Sequence, residues 1–188
     1  MSRVAYVHGR YVPYAQAAVH AEDRGFQFAD GVYEVIAISQ GPLVDAGGHL
    51  HRLERSLAEL RIDMPMTLAA FRVVLAETIR RNRVRAGQIY LRVTRGAARR
   101  EFAFPIDIPP TVVAIARSVD WTKAAANAAK GVAAITQPDI RWGRCDIKTV
   151  ALLPNVLAKQ AAREQGAYEA WLVDRDGQVA VGSSTNAW

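Results

Sequence analysis

The sequence predicts an α+β protein in two parts, and three observations carry that prediction. Leu50, Leu53, Leu57 and Leu60 recur at helical spacing, so residues 49–61 should form an amphipathic helix. Gln88 to Arg95 alternates apolar and polar residues with the period of a strand that has two different faces. An alanine-rich stretch over 123–131 then interrupts the patterning, which places a boundary near residue 120. The expected division is a small N-terminal α+β domain over 1–120 and the first part of a larger domain over 121–188.

Within the first part, Val4 to Val7 followed by His8-Gly9 reads as a short strand and turn. Gly25 to Phe28 and Gly31 to Ile36 alternate well enough to predict two strands separated by a loop. A second helix should start after Thr67 as its N-cap, burying Leu68, Phe71, Leu75 and Ile79, with Gly87 just past its end. Thr111 to Ala116 is more uniformly apolar, as expected of a buried strand. In the second part, Val132 to Thr136 should be a strand and Pro154 to Gln165 a helix, with proline in its first turn and Gly166 as its stop. Tyr168 to Val173 and Gln178 to Val181 should pair as a hairpin around residues 174–177.

Composition narrows the function classes. The chain has 188 residues, 51% hydrophobic and 22% charged, with mean hydropathy of −0.01. That is an ordinary globular composition. The net charge of +6 comes mostly from arginine, 20 residues against four lysines. Charge alone says little about specific function, and no zinc-ligand set, aromatic RNA-binding motif or basic heptad accompanies it, so nucleic acid is not the expected partner. The single cysteine, Cys145, cannot form an internal bridge, which fits a reducing compartment. No apolar run approaches the roughly 20 residues of a membrane-spanning helix. A cytoplasmic protein without a membrane partner is expected. None of the four histidines suggests a metal, since His49 and His51 are two apart on one helix and do not share a face. Cys145 is expected to serve packing.

The most informative segment is Arg141-Trp-Gly-Arg-Cys-Asp-Ile-Lys148-Thr-Val-Ala-Leu-Leu-Pro-Asn-Val-Leu-Ala-Lys-Gln160. Lys148 stands between Ile147 and a Val-Ala-Leu-Leu run, just ahead of the expected helix. Desolvation in such company favours the neutral form of an amine. A neutral amine is the nucleophile that forms a Schiff base with a carbonyl. On the residues alone, a lysine at a strand end with its ammonium reaching water is the simpler reading.

That segment closely resembles the active-lysine segment of D-amino acid transaminases, which are fold-type IV pyridoxal-phosphate enzymes. The resemblance continues in Asp23-Arg-Gly-Phe-Gln-Phe-Ala-Asp-Gly-Val-Tyr-Glu-Val-Ile36, His49-Leu-His-Arg-Leu53, Ile89-Tyr-Leu-Arg-Val-Thr-Arg-Gly96, Gly166-Ala-Tyr-Glu-Ala170 and Gly182-Ser-Ser-Thr-Asn186. It implies an α+β, two-domain fold with pyridoxal 5'-phosphate as cofactor. The implied reaction moves an amino group from a D-amino acid, D-alanine foremost, to a 2-oxo acid such as 2-oxoglutarate or pyruvate. It also implies a homodimer.

By the same resemblance Lys148 is the Schiff-base lysine and proton shuttle, and Arg52 clamps the cofactor phosphate, a task suited to a planar bidentate donor. Tyr33 lines the pocket, while Ser183, Ser184 and Asn186 form a hydroxyl and amide cluster beside the pyridoxal ring. Arg100 aligns with an arginine that helps hold the substrate carboxylate. Asp30, Glu34 and Lys159 are expected to be structural.

Three departures stand out. Phe102 replaces a histidine that usually accompanies the carboxylate-holding arginine. Val181 occupies the place of a glutamate that usually pairs with the pyridine nitrogen, and valine can neither accept a hydrogen bond nor offset a positive charge. Family chains also continue well past Trp188, so the second domain is expected to be incomplete. The alternatives are another chemistry of the same family or a catalytically impaired relic. The family alternatives are branched-chain or R-amine transamination and aminodeoxychorismate lysis.

Overall fold

A computed structural model describes residues 2–186. The chain divides into two compact units. The first runs to Trp121 and also takes in Asp146–Val150; the second comprises Thr122–Cys145 and the chain from Ala151 onward.

The first unit holds strands β1 (Val4–Val7), β2 (Arg10–Pro13), β3 (Gly31–Ile38), β4 (Gly87–Thr94) and β5 (Thr111–Ser118), with helices α1 (Arg24–Phe28), α2 (Ala46–Glu59) and α3 (Leu68–Asn82). Its sheet has the order β2-β1-β5-β4-β3, and every pairing is antiparallel. β1 and β2 are joined by His8 and Gly9, both at positive φ, the backbone that a tight hairpin demands. One face of the sheet supplies Val32, Ile36, Ile89, Leu91 and Val93 to the core. Leu50, Leu53 and Leu57 of α2 and Phe71, Leu75 and Ile79 of α3 complete it, as the leucine spacing predicts. Thr67 caps α3, its Oγ1 accepting from Ala70 N–H.

Two expectations for this unit need correction. Gly25–Phe28 is helical, because Asp23 caps it by accepting from Gly25 N–H and Ala29 ends it in the left-handed region. The alternation of Phe26 and Phe28 is therefore not a strand pattern, and Phe26 is exposed. Arg83, and not Gly87, is the left-handed residue that ends α3. Gly87 instead opens β4, where a Cβ would lie 2.0 Å from the Arg117 carbonyl oxygen.

The second unit holds α4 (Trp121–Lys130), whose first residue belongs to the first unit, together with β6 (Ala134–Pro138), α5 (Leu153–Glu164), β7 (Glu169–Val173) and β8 (Val179–Gly182). The alanine-rich stretch expected as a spacer is thus α4, as the high helix propensity of alanine favours. β6 and β7 pair parallel, β7 and β8 antiparallel. α5 packs on β7 through Ala158, Ala162, Ala170 and Leu172, and Val181 lies against that cluster. Among the described residues no helix is long and apolar enough to cross a membrane.

Candidate functional site

The residues singled out in the sequence fall into four local groups, three in the first unit and one in the second. The first surrounds Lys148. β3 is an edge strand, and the segment 146–150 lies along its free side: Tyr33 N–H donates to the Lys148 carbonyl (2.9 Å) and Val150 N–H to the Gly31 carbonyl (3.0 Å). Ile147 is buried in the core of this unit. α2 holds the same segment from another side, because Arg55 donates to the Asp146 carbonyl and Ser56 Oγ accepts from Lys148 N–H at 3.5 Å. The lysine is thus fixed by backbone and core contacts, and only its side chain is left to act. That side chain is half-buried, with Nζ 4.6 Å from the centre of the Tyr33 ring. An ammonium over an aromatic face is a favourable pairing that holds the amine beside the strand.

The second group is built on the next residue of β3. Tyr33 and Glu34 leave the strand on opposite faces, and Glu34 points into the protein, fully buried. It receives Arg52 Nε and Nη2 at 2.6 Å each and pairs with His49 Nδ1 at 2.7 Å. His49 and Arg52 are three apart on α2 and so share a face. The bidentate hydrogen bonding with Glu34 raises the Arg52 guanidinium above its ordinary pKa. Arg52 keeps part of its surface in solvent, and Nη1 lies outside the bidentate pair. Glu34, expected to be structural, holds the Arg52 guanidinium through two parallel hydrogen bonds. Asp30, also expected to be structural, receives both Arg24 and Arg95, two buried arginines.

The third group contains Arg100. Its guanidinium lies 5.3 Å from the Phe28 ring centre and 5.7 Å from that of Phe102, and the two rings are 5.4 Å apart. Arg24 ties the same loop down by donating to the carbonyls of Glu101 and Phe102. Arg100 is exposed, and its described contacts are with these rings rather than with Lys148 or Tyr33.

The fourth group lies in the second unit and centres on a residue to which the sequence alone assigns no role. Glu169 opens β7 with only 3% of its surface exposed. Its carboxylate accepts from Ser183 Oγ, from Ser184 Oγ at 2.8 Å, from Thr185 Oγ1 at 3.0 Å and from Ser184 N–H at 3.3 Å. Burial opposes its charge, but hydrogen bonds from Ser183, Ala170, Ser184 and Thr185 outweigh that and bring the carboxyl down to about 2. Lys159 Nζ stands 3.4 Å away and also donates to the Tyr168 carbonyl, so it has a defined place in the group. On the other side, Asn155 donates to the Ser183 carbonyl at 2.9 Å. Gly182 is required where it is, since a Cβ there would lie 2.2 Å from Thr185 Oγ1. Asn186 is exposed beyond the turn. The signal in the sequence was a lone carboxylate on the buried side of a strand, paired later with three consecutive hydroxyl residues.

Cys145 is exposed and donates to the Trp142 carbonyl, so it does not serve packing as expected. Among the described residues no group of three His, Cys, Asp or Glu could hold a metal ion.

The Amino-transferase class IV family matches residues 31–188. The D-alanine aminotransferase of Bacillus licheniformis is 43% identical over 180 residues, which cover 96% of this chain and 62% of that protein. The D-alanine aminotransferase of Staphylococcus haemolyticus is 37% identical over 184 residues, covering 97% and 64%. Among solved structures, the branched-chain amino acid aminotransferase of Escherichia coli matches with a TM-score of 0.87 at 18% identity, covering 97% of this chain and 63% of that one. The 4-amino-4-deoxychorismate lyase of Pseudomonas aeruginosa matches at 0.77 and 24% identity, covering 96% and 64%. The chain therefore spans somewhat under two thirds of the relatives it matches.

Proposed function

Because the chain belongs to the class IV amino-transferase family, we propose that it serves pyridoxal-phosphate-dependent transamination of a D-amino acid, D-alanine foremost, with a 2-oxo acid such as 2-oxoglutarate. The observation that carries the proposal is the 43% identity to a D-alanine aminotransferase along 96% of the chain. The local geometry supports it, since the chain holds an amine, an oriented guanidinium and a hydroxyl turn at the motif positions. The amine and the guanidinium fit the aldehyde and the phosphate of a phosphate-bearing aromatic aldehyde.

When bound, pyridoxal phosphate supplies an aldehyde and an electron-accepting ring. Lys148 Nζ would hold that aldehyde as its amine partner and would serve as the base for the substrate's α-proton. Its backbone is held by Tyr33, Ser56 and the β3 edge, so the amine moves only through its own side-chain torsions. Arg52, aimed by Glu34, binds the phosphate through the part of its guanidinium that the bidentate pair leaves over. Tyr33 flanks the amine, its ring centre 4.6 Å from Nζ. Arg100, seated on Phe28 and Phe102, receives the substrate carboxylate. We extend the proposal to a homodimer in the cytoplasm, on the family resemblance.

The test is amino transfer by the purified chain with pyridoxal phosphate and 2-oxoglutarate. Pyruvate should form from D-alanine, whereas L-leucine should yield no 2-oxo acid. Preferential turnover of L-leucine would replace the D-amino acid reading with the branched-chain one.

A further inference from the structure

The chain that leaves β4 returns close to its own start: Gly96, at φ 112°, approaches so near that a Cβ there would lie 2.2 Å from the Pro109 carbonyl oxygen. Between these points the loop is largely exposed, with Phe102 at 76% and Ile106 at 84%, so it adds little to the core. Two buried arginines nevertheless grip it. Arg24 donates through Nε to Asp30 Oδ2 at 2.7 Å and through its two Nη atoms to the carbonyls of Glu101 and Phe102. Arg95 donates through Nε and Nη2 to the same carboxylate, at 2.7 and 3.1 Å, and through Nη1 and Nη2 to the carbonyls of Arg61 and Leu60. Its guanidinium carbon lies 3.7 Å from the Phe104 ring centre. One carboxylate therefore fixes both arginines that hold the loop, at 101–102 and at 104. Two cations buried on one anion need further acceptors for their N–H groups. For Arg24 those acceptors are the loop's own carbonyls.

What the grip seats is Arg100. Arg24 and Arg100 lie over one ring, Phe28, at 4.8 and 5.3 Å from its centre, and Phe102 adds a second ring 5.7 Å from the Arg100 guanidinium. Glu101, the neighbouring carboxylate, is turned back on the Phe102 N–H at 2.7 Å. An exposed arginine otherwise samples many rotamers. A guanidinium resting on aromatic faces is restrained while its in-plane N–H donors stay available to a carboxylate. We propose that Asp30 is a positioning residue: through Arg24 it fixes the Glu101–Phe102 backbone, and so the direction in which Arg100 presents its donors to a small carboxylate. On the transaminase reading, on which the identity of that carboxylate rests, it belongs to the amino acid substrate. The loop thus keeps a directed cation although Phe102 supplies a ring and no side-chain donor.

The test uses the ¹⁵N-labelled 188-residue chain and reads the Arg100 Nε–H signal, with propionate as the carboxylate probe. In the parent this signal should show the restricted motion of a seated side chain and shift saturably with propionate. Arg24→Lys keeps the charge beside Asp30 but cannot reach both loop carbonyls. It should free the Arg100 side chain and weaken propionate binding about fivefold, the equivalent of one net hydrogen bond. Asp30→Asn should act in the same direction and more strongly; if it fails to fold, Arg24→Lys decides alone. Arg100→Ala, which leaves the grip intact, should abolish the propionate shift at the Glu101 and Phe102 amides. With pyridoxal phosphate and 2-oxoglutarate, the loss in Arg24→Lys should fall on the KM for D-alanine more than on kcat. A mobile Arg100 or no propionate shift in the parent would overturn the proposal, as would unchanged Arg100 motion and propionate affinity in Arg24→Lys. A parent that holds Arg100 and binds propionate but transaminates no D-amino acid would retain the positioning role and fail the transaminase reading instead.

Discussion

Glu34 and Glu169 are both buried carboxylates at candidate site positions, yet they are satisfied in opposite ways. Glu34 meets a bidentate arginine cation and a histidine ring nitrogen, both from α2. Glu169 meets mainly neutral donors, three hydroxyls and two backbone N–H groups, with one lysine at longer range. Charge pairing orients a long side chain at the cost of desolvating both partners, so removal of either leaves the other exposed to a loss. Neutral donors hold a carboxylate without cancelling its charge, which leaves a turn polarised toward whatever it faces. The first arrangement aims a donor and the second creates acceptors.

Substitutions separate the two arrangements. The largest effect is expected for Glu34→Ala, which leaves Arg52 and His49 without their buried partner and should cost about 3 kcal/mol in urea unfolding. A double-mutant cycle with Arg52→Ala should return a large coupling, whereas the same cycle between Glu34 and Ser184 should return none. Glu169→Gln should cost about 2 kcal/mol, because an amide cannot accept from all the donors that the carboxylate serves. It should also change the acid response. The Glu169 carboxyl is lowered from 4.5 to about 2 in the folded chain, so its contribution is present above the ordinary value and is lost as pH falls toward 2. Glu77, held by hydrogen bonds from Arg80 and Arg81, is lowered to about 2 as well, so the informative quantity is the difference between parent and variant. The parent should lose stability more steeply than Glu169→Gln between pH 4.5 and 2. Equal slopes would mean that the carboxylate is not held as described.

Arg52→Lys comes next, at about 1 kcal/mol, since an ammonium cannot reproduce the two parallel bonds to Glu34. Ser184→Ala should cost about 0.5 kcal/mol, as the exposed hydroxyl is one of several donors to Glu169. Chemical unfolding of each variant checks the order, and a Ser184→Ala loss above that of Arg52→Lys would reverse the contrast between the two sites.

The asymmetry also explains what could be read from the sequence. Helical leucine spacing, the Thr67 cap and the hairpin at 174–177 are local signals, and they survive into α2, α3 and the β7–β8 pair. Short segments misled where one side-chain contact decided the matter, as when the Asp23 cap made a helix of an alternating stretch. Lys148 stands out in the sequence because the motif around it is long and contiguous. The return of Asp146–Val150 to the first unit was not, because it depends on β3 having a free edge, a property of sheet order. Glu169 carried no local sign of its importance, since its partners lie 14 to 16 residues further along the chain.

Lys148 carries the transaminase assignment. The most direct measurement is the visible absorption of the purified chain with pyridoxal phosphate, followed by borohydride reduction and peptide mapping. The expected result is a Schiff-base band that D-alanine bleaches and a reduced label confined to Lys148. No band, or label spread over Lys123, Lys130 and Lys159 as well, would contradict the assignment of Lys148 as the cofactor-bearing residue.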